Sequence, residues 1–92
     1  MDDKTKEILC ILQEECAEVI QAVSKISRFG TDSMNDHMGV SNRDALIKEI
    51  GDVIAMIYCL SSVVGFATED ELVEASDAKL EKLKHWSNIF KD

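Results

Sequence analysis

Between Leu46 and Val64 the chain reads LIKEIGDVIAMIYCLSSVV. Drawn as an α-helix, its apolar residues cover nearly the whole circumference: Leu46, Ile47, Ile50, Val53, Ile54, Ala55, Met56, Ile57, Tyr58, Cys59, Leu60, Val63 and Val64. A helix that is apolar all round is buried on every side. A chain of 92 residues has only a modest core and cannot easily cover such a helix by itself. An earlier segment repeats the difficulty, because Ile8, Leu9, Ile11, Leu12, Val19, Ile20, Val23 and Ile26 span a wide arc. The expected fold is therefore all-α: a helical bundle of three to four helices, completed by homo-oligomerisation into a homodimer or homotetramer.

Local signals divide the chain into three helices. Proline is absent and glycine occurs only four times, which favours long helices with few tight turns. The first helix is expected near 3–28, with Gly30 after its last turn. The second is expected near 43–64, capped by Ser41 or Asn42 and stopped at Gly65. The third is expected near 68–90, opening with the capping box Thr68-Glu69-Asp70-Glu71. A loop over 29–41, with room for a short helical turn inside 31–41, is long enough for so small a chain to suggest a function. Residues 1–92 read as one domain.

The net charge of −8 disfavours a general surface for nucleic acid, a polyanion. A hydrophobic content of 46% argues against disorder. The most apolar stretch, 53–67, is shorter than the roughly 20 residues a membrane span needs. The N-terminus opens on acidic residues without the basic segment of a secretory signal. Cys10, Cys16 and Cys59 are odd in number and form no C-x-x-C pair, so they read as small core residues in a reducing compartment. The chain is expected in the cytoplasm, away from membranes.

Carboxylates interrupt both apolar helices. Glu14, Glu15 and Glu18 lie between Leu12 and Val19, while Glu49 and Asp52 lie among Ile47, Ile50, Val53 and Ile54. Glu15 with Glu18, and Glu49 with Asp52, are spaced i, i+3, so each pair shares one helical face. Antiparallel packing of the two helices would bring four carboxylates together. Converging like charges must be protonated or neutralised, and hard divalent cations favour such oxygen ligands. Neither His37 nor His85 has a Glu three residues before it, which disfavours a histidine-bearing di-iron bundle. The other reading is a solvated groove, or pairing with Lys25, Arg28 or Lys79.

At these residues the chain resembles the MazG-like all-α nucleoside triphosphate pyrophosphohydrolases, whose pattern is E-E-x-x-E on one helix and E-x-x-D on the next. Here the two parts are Glu14-Glu15-Cys16-Ala17-Glu18 and Glu49-Ile50-Gly51-Asp52. The likeness is good over 12–60 and weaker in the third helix. There Asp77-Ala78-Lys79 stands where the family often has Asn-x-Lys, and Lys82 where it has Arg. The stretch between Glu18 and Glu49 is also longer than usual for the family. The resemblance implies hydrolysis of a nucleoside triphosphate to monophosphate and pyrophosphate. Mg²⁺ (or Mn²⁺) would be held by Glu15, Glu18, Glu49 and Asp52, one of which would orient or deprotonate the attacking water. Lys25, Arg28, Lys79 and Lys82 would be the candidate phosphate contacts. Phe29, Tyr58 and Trp86 could stack on a base or belong to the core. Two other classes compete: a non-catalytic nucleotide- or metal-binding module, and a structural helical assembly whose acids are merely solvated.

Overall fold

The first helix, α1 (Asp3–Phe29), starts where the Asp2 carboxylate accepts the Thr5 N–H at 2.7 Å. This is the N-cap bond that satisfies one orphan donor of a first turn. It ends at Gly30, whose φ of 89° is open to glycine and whose N–H bonds Ile26 O at 2.8 Å. The second helix, α2 (Asn42–Tyr58), is capped by Ser41, which accepts from Asp44 N. The third, α3 (Glu69–Trp86), opens with the full Thr68/Glu71 capping box. The computed structural model describes residues 1–35 and 38–91. Asp36 and His37, within the expected loop, and the terminal Asp92 lie outside the described residues.

The structure differs from expectation in three places. In the loop there is a two-stranded antiparallel ribbon, β1 (Met34–Asn35) and β2 (Val40–Ser41), pairing Met34 with Ser41 and Asn35 with Val40. The fold is therefore mostly helical rather than purely so; the short turn expected inside 31–41 falls partly on Asp36 and His37, outside the described residues. At the end of α2 the ladder widens into a π turn over Cys59–Val63, before Gly65 turns the chain with φ 63°. Finally, α3 stops at Trp86, short of residue 90. Ser87 adopts extended backbone, and both its N–H and its hydroxyl bond Leu83 O, at 3.1 and 2.7 Å. A serine side chain bonding the backbone in this way competes with further helix.

The two long helices pack antiparallel and are pinned together at their shared end. Asn42 N donates to Ser33 O at 2.8 Å, Arg43 N to Thr31 O at 3.0 Å, and the Asn42 side-chain amide to Gly30 O at 3.1 Å. Ala22 on α1 and Ala45 on α2 are both buried, and such small side chains let backbones approach closely. Ile8 and Leu60 are buried at the other end. Asn42 is only 2% exposed, so Asn42→Ala removes a bond from a closed joint. Urea titration should show a loss of about 1–2 kcal/mol; an unchanged midpoint would remove the joint from the account of stability.

The chain is flat. Its extents are 41 × 36 × 14 Å and its radius of gyration is 15.9 Å, against about 12 Å for a compact chain of this length. No residue of α3 is buried. Along α2, Ile47, Ile50, Ile54 and Ile57 form an exposed stripe on the side turned away from the buried Ala45 and Glu49. The cysteines correct the core reading: Cys10 and Cys16 are exposed, Cys59 is half-buried, and all three are free thiols. Phe29, Tyr58 and Trp86 are exposed too, so none belongs to the core of the single chain. Among the described residues, no helix is long and apolar enough to cross a membrane.

Candidate metal centre

Antiparallel packing sets the middle of α1 against the middle of α2. Oxygens of Glu15, Glu49 and Asp52 there lie within 4.8 Å of one another. Glu49 is buried at 7% exposure, and Glu15 and Asp52 are half-buried. Glu18 stands outside this trio and is exposed, but it lines the same open cleft, of about 450 Å³, with Glu15 and Glu49. Lys25 and Gln21 continue the α1 wall. Asn35 and Met38 reach in from the ribbon, and Lys48 lines the α2 side. Positions 15, 18, 22 and 25 recur at helical spacing, which is why one face of α1 carries them all.

The electrostatics follow from this convergence. Burial holds the Glu15 carboxyl above the usual glutamate range, and the like charges of Asp52 and Glu49 push it further; Lys48 offsets part of this. Lys48 donates to Asp52 Oδ2 at 2.8 Å and lies 3.6 Å from Glu49 Oε1. Its ammonium is held above the ordinary lysine value, first by that hydrogen bond to Asp52. Three carboxylates crowded to this degree, one of them buried, suit a hard divalent ion: the donors are all oxygen and their charge calls for a counter-charge. Glu15, Glu49 and Asp52 could bind such an ion directly, with Glu18 within the same cleft.

A prediction follows for the metal-free protein. A raised native pKa means that the folded state binds the proton more tightly, so ionisation of Glu15 costs stability above its titration. Glu15→Gln should therefore melt higher than wild type near neutral pH. The gap should close as pH falls through the raised Glu15 value, because wild type is then neutral there too. Melting curves in chelator across that window test it; a gap that widens toward acid would contradict the like-charge account.

The expected phosphate contacts separate. Lys25 lines the acidic cleft. Arg28 instead lies over the Phe29 ring, 5.0 Å from its centroid, and does not line that cleft. Lys79 and Lys82 are exposed on α3 and are not among the residues that line it. Sequence reasoning did not single out Lys48, Gln21, Asn35 or Met38. For Lys48 a signal existed, since Lys48 and Asp52 form an i, i+4 pair on the E-x-x-D helix. For the ribbon residues none did, because the loop's return onto α1 is a tertiary event.

A helical hairpin with E-E-x-x-E on one helix, E-x-x-D on the next and their acids converging defines a domain of the all-α nucleotide pyrophosphohydrolase class. The family model for the MazG nucleotide pyrophosphohydrolase domain matches residues 4–88, and the chain belongs to that family. No curated protein and no solved structure matches it significantly.

Proposed function

We propose that this protein, read as a single domain over 1–92, is a Mg²⁺-dependent nucleoside triphosphate pyrophosphohydrolase. It would convert a ribo- or deoxyribonucleoside triphosphate to the monophosphate and pyrophosphate, with Mn²⁺ as an alternative ion, in a cytoplasmic role of nucleotide-pool control. The observation that carries the reading is the approach of Glu15, Glu49 and Asp52 within 4.8 Å across two helices, together with family membership. The bound ion would neutralise charge on the phosphates as the α–β anhydride bond breaks. Glu15, Glu49 and Asp52 supply its oxygens. Glu18, on the same cleft, completes the set or orients the attacking water.

Lys25 faces the carboxylates along the cleft and is placed to meet phosphate oxygens. Arg28, Lys79 and Lys82 are the outer candidates for the same role. Lys79→Ala should raise KM for the nucleotide with the melting temperature nearly unchanged; unaltered kinetics return Lys79 to surface charge. The working form is a homo-oligomer, supported by the flat single chain and its exposed isoleucine stripe. The deciding experiment is a panel of standard and modified NTPs and dNTPs with Mg²⁺, scored for pyrophosphate and monophosphate. Binding of nucleotide without pyrophosphate release would favour a sensor. No thermal stabilisation by Mg²⁺ or nucleotide would leave only a structural assembly.

A further inference from the structure

Lys48 is ion-paired with two of the three carboxylates that form the cluster. Its Nζ lies 2.8 Å from Asp52 Oδ2 and 3.6 Å from Glu49 Oε1, and Glu49 and Asp52 each place an oxygen within 4.8 Å of the others in the trio. Lys25 lines the same cleft from α1, yet it makes no ion pair among the described residues. The contact is therefore particular to Lys48. We propose that Lys48 is a positioning residue for the metal centre: its ammonium competes with a divalent cation for Asp52 and Glu49, and so sets how tightly that cation is held.

The inference rests on the metal-site reading above. Two physical effects carry it. A carboxylate oxygen that accepts a hydrogen bond from an ammonium at 2.8 Å gives a metal less of its electron density, and a fixed positive charge a few ångströms from a dication repels it. The competitor is also tethered. Lys48 and Asp52 lie one turn apart on a rigid helix, so the ammonium never dilutes away from its partners. Its side chain is 58% exposed, so it can swing into the cleft without any movement of α2. A lone cation consequently meets a site already partly neutralised.

The test is a calorimetric titration of Mn²⁺, without nucleotide, into the full chain of wild type, Lys48→Met and Lys48→Arg. Lys48→Met keeps the aliphatic stem and removes the charge. It should bind Mn²⁺ about two- to five-fold more tightly, the scale expected of an exposed ion pair. Lys48→Arg should stay close to wild type. Should Lys48→Met fail to fold by circular dichroism, Lys48→Gln makes the same comparison. Unchanged or weaker Mn²⁺ affinity in the folded neutral variant overturns the role of Lys48 and leaves the metal site standing. No Mn²⁺ binding by any of the proteins overturns both.

Discussion

Glu49→Gln or Asp52→Asn should reduce pyrophosphate release by at least about 10²–10³-fold while leaving the helical circular dichroism signal intact. Each substitution is nearly isosteric and removes one charge from a cluster that needs its charge only to hold a cation. At about 1.4 kcal/mol per tenfold, the loss corresponds to several kcal/mol of transition-state stabilisation, in line with what a metal ion supplies at a phosphoryl centre. Glu49 is the more informative site because it is buried at 7% exposure, with Lys48 3.6 Å away and the carboxylates of Glu15 and Asp52 close by. A second readout separates chemistry from folding. Mg²⁺ should raise the melting temperature of wild type and do so much less in either variant. Turnover within a few-fold of wild type in both would remove the carboxylate trio from the reaction.

The second large effect concerns the isoleucine stripe. Ile54→Glu should convert the assembled protein to a smaller species and lower its melting temperature. Ile54 is 61% exposed in the single chain, and Ile50 and Ile57 flank it on one stripe. Burying such side chains is worth roughly 1.5–3 kcal/mol each. A carboxylate placed in their midst has no partner and carries a steep desolvation cost. Sedimentation velocity at micromolar concentration should show the sedimenting mass fall. Lys82→Glu on α3, outside the stripe, is the control that should leave it unchanged. A wild type that sediments as one chain would contradict the oligomer itself.

How much of this could be read without coordinates depends on the range of each signal. Gly30, the Ser41 cap and the Thr68/Glu71 box are decided within four residues, and each stands where expected. The convergence of Glu15, Glu49 and Asp52 was legible for a related reason. Spacing fixes which face each acid takes, and an antiparallel hairpin leaves those faces opposed. Glu18, one turn further along α1, lies at the edge of the opposed zone and lines the cleft outside the trio. The ribbon of Met34–Asn35 with Val40–Ser41 was not legible. Four strand residues carry no periodicity, and their pairing depends on how α1 delivers the chain to α2. The exposed cysteines misled because an apolar segment describes its neighbours, not the direction of each side chain.

The π turn at Cys59–Val63 alters phase. An α-helix advances about 100° per residue, and a π turn takes up one residue more than an α turn. Side chains beyond Tyr58 are thus offset by roughly one residue from the stripe that Ile47, Ile50, Ile54 and Ile57 lay down. Leu60 is turned inward to burial while Val63 faces out. The exposed isoleucine stripe therefore ends where the π turn begins. Gaining or losing one residue at this joint would re-aim everything C-terminal to it, α3 included, while the carboxylates two turns upstream keep their places.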